Sequence, residues 1–446
     1  MKAKEQKKEK QQDMFKTELE YILDLEHPLC KLAEKINWKK FEEDFAGYFP
    51  SPVGNTALPS RLVVGILYLK HAFGISDEKV VSQWVENPYW QYFCGMQYFQ
   101  HEVPFHPTSL IKWRRRLGDK GSEKLLAELV EVAVKTKIIN EKDLEKVITD
   151  TTVQEKAIAY PTDAKLQHKA RILLLKEAKK QGLKLRQTYV KLSKRALFIS
   201  SRYVAAKQMK RARKQFKLIK KYLGCVYRDI KRQIEKRPEL KKHFTDLFNK
   251  TEKLLTQTKD GKNKLYSLHA PEVECIAKGK VHKKYEFGVK TSITTTHKSN
   301  FVVGVKAFEG NPYDGHTLKD ALDQVEEITG IRPKDDYVDL GYRGHGEKEC
   351  AVHMSRNKSV LKTAKLRRDM KRRSAVEPVI GHMKTDGLLG RNYLRGSLGD
   401  KINAILSGAG HNFRYILRKL MLLLAKFFSV FYMNIFTFFA WGNEIY

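Results

Sequence analysis

The segment KKYEFGVKTSITTTHKSNFVVGVKAFEG, residues 283–310, decides the fold class. It contains two runs rich in β-branched and aromatic residues, 283–296 and 300–310, separated by the polar residues 297–299. Two such runs around a short polar turn predict a β-hairpin. The chain must therefore contain a sheet, although most of its remaining sequence has a helical period.

Further elements flank this hairpin on both sides. Upstream, KVITDTTVQEKAIAY (146–160) is β-branched and alternating, which predicts a strand and a turn and leaves room for a second strand. Downstream, TLKDALDQVEEITG predicts a helix closed by Gly330, and YVDLGYRG predicts a short strand. Two more helices are predicted at 375–384 and 400–427. The order of strands and helices is typical of a mixed α/β core.

Residues 51–140 are predicted to form a helical domain of the helix-turn-helix type that binds DNA. The run LPSRLVVGILYLKHAFG ends at Gly74, a suitable C-cap, and ISDEKVVSQWVENP opens with Ser76 and Asp77 as cap candidates. This pattern predicts two helices joined by a short turn.

A third helix of this domain is predicted to begin behind Thr108 or Ser109. It carries Arg114, Arg115 and Arg116 in its second turn, where they are expected to contact DNA. A plain helical bundle whose arginines are solvated fits the same spacing equally well.

Residues 164–265 interrupt the α/β pattern as a basic helical insertion. The fifty residues 201–250 hold 17 Lys or Arg against 4 Asp or Glu, yet apolar residues recur there at helical spacing. This combination predicts packed helices with a cationic outer face that lies along a DNA backbone. The residues expected to make those contacts are Lys207, Lys210, Arg211, Arg213 and Lys214.

Composition narrows the class of partner. The chain has 446 residues, of which 42% are hydrophobic, and a formal net charge of +34. The hydrophobic content excludes a disordered chain, and the charge predicts a polyanionic partner. The five cysteines include no C-x-x-C pair, which disfavours a zinc site or a disulfide framework and favours a reducing cytoplasm. No GxxxxGK[ST] phosphate loop is present, so nothing supports an ATP-driven mechanism.

Both ends of the sequence differ in composition from the centre. Residues 1–50 are predicted to be a helical lead-in whose first residues are charged, with no apolar segment behind them that would indicate a secretory signal. Residues 426–446 form an apolar C-terminal segment. Because charged residues interrupt the apolar region 415–441, a helix packed on the core or on a partner is favoured over a membrane helix.

Three carboxylates stand where an α/β sheet usually presents functional groups. Asp150 lies within the strand-like run ITDTTV, Asp339 ends the strand YVD, and Glu377 opens a helix. Three carboxylates that converge from separate elements are suited to hold a pair of hard divalent cations. Each also has a structural interpretation, as a turn cap, as a brace for the turn after Asp339, or, for Glu377, as the partner of Arg373.

The order of these motifs resembles a known family. The segments TDTTVQEKAIAYPTDAKL, SLHAPEVECIAKGKVHKKYEFGVKTSI, YVDLGYRGH and RSAVEPVIGHMK resemble the bacterial insertion-sequence transposases of the DDE class, specifically the insertion-sequence-five family. The third motif of that family is an arginine, three residues, a glutamate, six residues and a lysine. Arg373, Glu377 and Lys384 match it.

The resemblance implies a ribonuclease H-like α/β catalytic core, formed here by residues 141–163 and 266–425. It also implies that Asp150, Asp339 and Glu377 hold two Mg²⁺ ions, for which Mn²⁺ is expected to substitute. Arg373 and Lys384 would then bind DNA beside them.

Some residues depart from the family pattern or fall outside the expected site. Met370 replaces a tyrosine and Leu340 replaces a basic residue, which predicts altered DNA contacts and unaltered metal ligands. Three histidines near the motifs are interpreted as solvated or capping residues, and two loop aspartates as turn caps. These residues are His316, His345, His382, Asp163 and Asp314.

The resulting expectation is a transposase that cuts transposon ends and joins the 3′-hydroxyl to target DNA. It would bind DNA as a homo-oligomer in a synaptic complex, in the cytoplasm and associated with the nucleoid. A structure-specific nuclease or resolvase on the same core is one alternative. A catalytically inactive DNA-binding protein is another.

Overall fold

A computed structural model describes most of the chain: residues 16–48, 58–258, 261, 263–277, 283–354 and 363–442, with side chains to residue 422. The chain divides into two compact units. The first comprises the residues up to Glu155 and from Val289 onward, and the second comprises Lys156–Gly288. The predicted insertion, 164–265, falls within the second unit. Most of the predicted lead-in lies in the described part, whereas the side chains of 426–446 lie outside it.

Helices form most of the first unit. Those before the sheet are α1 (Leu19–Ile22), α2 (Pro28–Lys35), α3 (Trp38–Phe45), α4 (Ser60–Phe73), α5 (Asp77–Glu86), α6 (Pro88–Phe93) and α7 (Ser109–Lys135). The predicted caps of the α4–α5 pair are confirmed. Gly74 ends α4 with a φ of 63°, and the Ser76 hydroxyl accepts a hydrogen bond from the Lys79 backbone N–H at 3.1 Å.

The strands of the chain are β1 (Lys146–Glu155), β2 (Glu274–Ala277), β3 (Tyr285–Thr296), β4 (Val302–Phe308), β5 (Asp335–Val338) and β6 (Ala351–Met354). In the first unit the strand order is β4-β3-β1-β5-β6. The predicted hairpin is confirmed as the antiparallel pair β3–β4, and β5 pairs parallel with both β1 and β6. Residues 157–162 form no strand, so the second strand considered there is absent.

The helices of the second unit are α8 (Asp163–Lys180), α9 (Val190–Ala205), α10 (Met209–Glu235) and α11 (Lys241–Thr256). Those that follow in the first unit are α12 (Asp314–Thr329), α13 (Ala364–Lys371), α14 (Val376–Thr385) and α15 (Gly396–Gly442). The predicted end of α12 at Gly330 is confirmed, with a φ of 72°.

One hydrophobic core joins the N-terminal helices to the sheet. Leu67 on α4, Leu125 on α7, Phe301 beside β4, Leu322 on α12 and Ile405 on α15 all belong to it. The boundary predicted at residue 140 therefore does not separate two compact units. Helix α15 packs against α4, α7 and β4, and so connects the helical layer with the sheet.

The buried residue Arg114 changes one prediction. Its side chain is 3% exposed, and its guanidinium donates to both carboxylate oxygens of Asp77 at 2.9 and 2.6 Å. The Lys70 ammonium lies 3.1 Å from the same carboxylate. The prediction that Arg114 contacts DNA is wrong, because its donors are used inside the fold. Arg115 and Arg116 are exposed, so their DNA contact remains a prediction.

The outer surface of α5 is poorly suited to recognise DNA. Its exposed residues include Glu78 and Glu86 beside Lys79 and Ser82. Carboxylates on that face would repel phosphates, whereas DNA-binding helices present cations. The predicted pair of helices joined by a short turn is therefore present, but α5 lacks the cationic surface of a recognition helix.

The second unit has its own core. Leu174 on α8, Leu223 and Ile230 on α10, and Phe244 and Leu254 on α11 pack together there. Most of the predicted apolar stripe of α10 is buried, Leu218 being exposed, and cationic residues occupy the other face of the helix. The five basic residues expected to contact DNA, Lys207, Lys210, Arg211, Arg213 and Lys214, are all exposed.

Within the described residues, no helix is long and apolar enough to cross a membrane.

Replacing Arg114 with Ala is expected to lower the free energy of unfolding by about 3 kcal/mol, because it removes one partner of a buried ion pair. The matched control is Arg115→Ala on the exposed face, for which a change within about 0.5 kcal/mol is expected. Urea denaturation of the full chain measures both values. Equal effects of the two substitutions would contradict a structural role for Arg114.

Candidate active site

Asp150 and Asp339 come from neighbouring parallel strands. The register of β1 with β5 pairs Lys146 with Asp335, and Ile148 with Tyr337. The paired residues end there, and β5 ends at Val338. Continued by two residues, the same register would set Asp150 opposite Asp339, at the spacing of about 4.8 Å between adjacent strands.

The two aspartates also face the same side of the sheet. Ile148 and Tyr337 pack together with Met370 and Val376 in one apolar cluster. Because side chains alternate along a strand, the residues two positions further on project from that same face. They are Asp150 and Asp339. Met370, where the family usually has a tyrosine, is a buried member of this cluster.

Helix α14 carries Glu377 on that face. Val376 packs on the cluster below the two aspartates, and Val379 and Met383 pack against residues of β3 and β4. These buried positions recur at helical spacing, so the orientation of α14 is determined by its apolar side. Glu377 follows Val376 directly, and its side chain is 62% exposed.

The contact between Glu377 and Arg373 that the sequence predicts is present in this structure. Its carboxylate lies 3.8 Å from the Arg373 guanidinium, one turn earlier. Lys384 lies on the same helix, seven residues after Glu377, and is half-buried. One cation therefore contacts the glutamate directly, while the other lies two turns along the same side of α14.

A half-buried group of polar side chains, called the brace below, lies on the opposite face of the sheet. The Asp314 carboxylate, at the start of α12, accepts hydrogen bonds from the Thr151 hydroxyl at 3.0 Å and from the Lys290 ammonium at 2.9 Å. Lys290 also donates to the carbonyl of Pro312 at 2.6 Å. A β-carbon added at Gly341 would lie 3.1 Å from the other Asp314 oxygen. Asp314 therefore connects β3, β1 and the turn after Asp339.

Sequence reasoning assigned Asp314 only to a turn cap and did not single out Lys290. The signal that could have found them is the predicted β3 strand itself, in which a lysine interrupts a run of β-branched residues. A charged residue at such a position requires a partner.

Tyr342 adds a neutral polar group to the same region. It is buried, and burial together with the nearby carboxylates of Asp150, Asp314 and Asp336 raises its pKa well above the ordinary value. The hydroxyl therefore stays protonated. Burial also raises the pKa of Asp336, on β5, to about 7. Near neutral pH Asp336 is therefore only partly ionised.

The donor chemistry at the strand ends fits a hard divalent cation. One oxygen of Asp150 accepts from the Thr151 backbone N–H at 2.8 Å, and one of Asp339 accepts from the Leu340 N–H at 2.7 Å. These bonds orient carboxylate groups, which are the ligands that Mg²⁺ prefers. In the part of the chain that the structure describes, no three His, Cys, Asp or Glu side chains already form a group able to hold a metal ion.

The three histidines near the motifs have local partners. His345 accepts a hydrogen bond from the Glu347 backbone N–H, His316 packs against Tyr313, and His382 lies 2.7 Å from Asp386. Asp163 accepts a hydrogen bond from Gln257 at 2.7 Å in the second unit. These contacts agree with keeping all four outside the catalytic set.

Comparison with known proteins identifies the family. Residues 17–116 match the family described as "Transposase domain (DUF772)", and residues 256–412 match the "Transposase DDE domain". A Rhizobium meliloti protein named "Uncharacterized protein ORF8 in nfe locus" is 47% identical over 196 residues, which cover 44% of this chain and 94% of that protein. The chain belongs to the DDE transposase family. The predicted resemblance to DDE-class insertion-sequence transposases is confirmed.

The matched segments cover only part of the site of this transposase. Asp339 and Glu377 lie within the DDE match, and Asp150 precedes it. Arg115 and Arg116 lie at the end of the other match. No solved structure matches the chain.

Asp314→Asn and Lys290→Met are each expected to reduce strand cleavage by about 10- to 100-fold, the usual effect of losing a group that orients a ligand. DNA binding should be retained, because neither side chain lies on an exposed cationic surface. Cleavage of a labelled duplex and a gel-shift titration measure the two properties. The control is Asp320→Asn, an exposed residue on the same helix. Full cleavage by both brace variants would exclude the brace from positioning the site.

Proposed function

We propose that this chain is a DNA transposase that cuts transposon ends and joins the freed 3′-hydroxyl to target DNA. Asp150, Asp339 and Glu377 would hold two Mg²⁺ ions, and Mn²⁺ is expected to substitute. The observation that carries the proposal is the β1–β5 register. Continued by two residues, that register would set the two aspartates side by side, on the face of the sheet against which the helix of Glu377 packs.

The sheet and its helices are proposed to be the ribonuclease H-like core that the family resemblance implies. An antiparallel hairpin beside parallel strands, with α12 and α14 on opposite faces, supports this assignment. Asp339 directly follows the end of the parallel strand β5, which is where open α/β sheets usually have their sites, whereas Asp150 lies within β1.

Each residue of the site has a distinct role in this proposal. The bound ions would supply positive charge against the charge that develops on the phosphate oxygens in each displacement. The two aspartates provide fixed anionic ligands on rigid strands. Glu377 is exposed and contacts Arg373 only at 3.8 Å, so it can turn toward the strands at small cost. Arg373 and Lys384 would then bind phosphate oxygens of the DNA.

Both chemical steps are displacements at a phosphodiester, so one site can serve both. No side chain is proposed to form a covalent bond with DNA. The carboxylates remain ligands throughout, and the nucleophile is water in the first step and the 3′-hydroxyl in the second.

The cationic surfaces are proposed to hold the DNA outside the site. The second unit would contact duplex phosphates through Lys207, Lys210, Arg211, Arg213 and Lys214, and Arg115 and Arg116 would add contacts from the first unit. Synapsis of two transposon ends would require a homo-oligomer. The assignment of the chain to the insertion-sequence-five family is also a proposal that follows from the family resemblance. The same holds for its location in the cytoplasm and its association with the nucleoid.

Two other functions are compatible with the same observations. A structure-specific nuclease or resolvase would cut without joining, and an inactivated transposase would bind without cutting. Transfer of a labelled transposon end into a plasmid separates a transposase from the nuclease. Mg²⁺-dependent nicking of the labelled end separates both enzymes from an inactive binder.

Asp150→Asn, Asp339→Asn and Glu377→Gln are each expected to abolish Mg²⁺-dependent nicking, because each removes ligand charge. Affinity for DNA should change little, since no cation is lost. The control is Glu309→Gln in the exposed loop after β4, which should nick normally. Any one of the three variants that nicks at the wild-type rate would remove that residue from the proposed site.

Replacing Lys207, Lys210, Arg211, Arg213 and Lys214 together with Gln should weaken binding to all duplexes alike. If each cation neutralises one phosphate, the slope of log affinity against log salt should decrease by up to about 4.5. Fluorescence anisotropy at several salt concentrations measures this slope.

The control for this variant replaces Lys176, Lys179 and Lys180, exposed cations on α8, with Gln. It should leave the slope nearly unchanged. Equal changes per cation in both variants would indicate a general effect of net charge and would contradict a specific DNA-holding face.

A further inference from the structure

A cavity of about 240 Å³ lies in the first unit between the end of α14 and the middle of α15. Its polar lining consists of His382 and Asp386 from the α14 side, and His411, Arg414 and Arg418 from α15. The three α15 residues recur at helical spacing and therefore face the same side. None of them belongs to the catalytic site described above.

Arg414 serves two purposes at this cavity. Its Nη1 donates to the carbonyls of Ala72 at 2.8 Å and of His71 and Asp386 at 3.3 Å, which close the ends of α4 and α14. Its Nη2 is buried and has no hydrogen-bond partner among the described residues. One half of the guanidinium is therefore structural, while the other half retains an unused donor.

His411 presents a second unused group. Its residue is 4% exposed, it lines the cavity, and its Nδ1 is buried with no hydrogen-bond partner in the described part of the chain. Burial, with the charges of Arg414, Arg418 and His382 adding to it, lowers its pKa to about 3. The ring is neutral near pH 7 and can donate one N–H. Buried polar groups without partners are rare in folded proteins, and here two of them belong to residues that line one cavity.

The charges around the cavity favour an anion. Arg414 and Arg418 contribute two positive charges, and Asp386 is the one carboxylate in the lining. Hydrogen bonds from His382 and Thr385 hold the pKa of Asp386 below its ordinary value, so it is ionised and locally compensated. The arginines are left with a net excess of positive charge.

We propose that this cavity binds a phosphate group, with Arg414 and His411 as its buried donors and Arg418 as its charged rim. The carrier of the phosphate is either a DNA backbone or free inorganic phosphate. The cavity does not depend on the proposed function, but its assignment to DNA rests on that function.

The test uses the full chain without Mg²⁺ and compares three variants. Arg418→Gln removes the charged rim, His411→Leu removes a buried donor with an apolar side chain of similar length, and Lys419→Gln is the matched control. Lys419 is the next residue on α15, is exposed, and lies over the Tyr415 ring outside the cavity lining.

Two measurements are made on each protein. The first is the melting temperature in sodium phosphate relative to sodium chloride at equal ionic strength. The second is the salt dependence of binding to a labelled duplex. For DNA as the carrier, Arg418→Gln should decrease the log–log slope by about 0.9 and Lys419→Gln should not. His411→Leu should weaken binding with little change in slope, because His411 carries no charge.

The outcomes separate the two carriers. Stabilisation by phosphate that both cavity variants lose, with an unchanged duplex slope, would assign the cavity to free phosphate. A slope that falls only in Arg418→Gln assigns it to DNA. The proposal is overturned if phosphate does not stabilise the wild type and the slope is unchanged, or if Arg418→Gln and Lys419→Gln lower the slope equally. Neither measurement depends on strand cleavage. The outcomes can therefore be interpreted even if the proposed transposase mechanism is wrong.

Discussion

The parallel pairing of β1 with β5 is the constraint on which the candidate site depends. A shift of that register by one residue would move every side chain of one strand to the opposite face. Asp150 would then point toward the large core that holds Leu67 and Phe301, and Asp339 would lose its neighbour. The apolar cluster of Ile148, Tyr337 and Val376 resists such a shift, because it would expose apolar groups and bury charged ones. Packing of ordinary hydrophobic residues therefore sets the position of the acids.

The two faces of the sheet have different roles at the candidate site. The face that bears α14 presents the carboxylates, and the opposite face supplies the brace in which Asp314 joins Thr151 to Lys290. A carboxylate paired with a lysine inside a fold is costly to break, since the remaining charge would be unpaired. Because Lys290 lies on β3 and Thr151 on β1, Asp314 holds the central parts of these two strands together. A rigid support of this kind is what a site for two metal ions requires.

Much of the fold and family could be predicted from the sequence. The hairpin, the ends of α4 and α12, and the buried stripe of α10 depend on local patterns, and the structure contains them. The prediction for Arg114 was wrong because three consecutive arginines on a helix differ only in angle around its axis. Only the packing of α7 decides which of them turns toward Asp77. Asp314 was interpreted as a turn cap for a similar reason, since its partners lie 24 and 163 positions away in the chain.

The sequence by itself determined most of the secondary structure and the family, and it supplied the three carboxylates that are proposed as metal ligands. Those properties depend on short segments in which the spacing of the residues follows the periods of helices and strands. Tertiary structure alone decided which cations are buried, which acids brace the sheet, and where unused donors meet in a cavity. These features depend on contacts between residues far apart in the chain, such as Arg414 with Ala72 and Asp386. Local sequence patterns do not predict such contacts, because the contacts form only when separate helices and strands pack into one core.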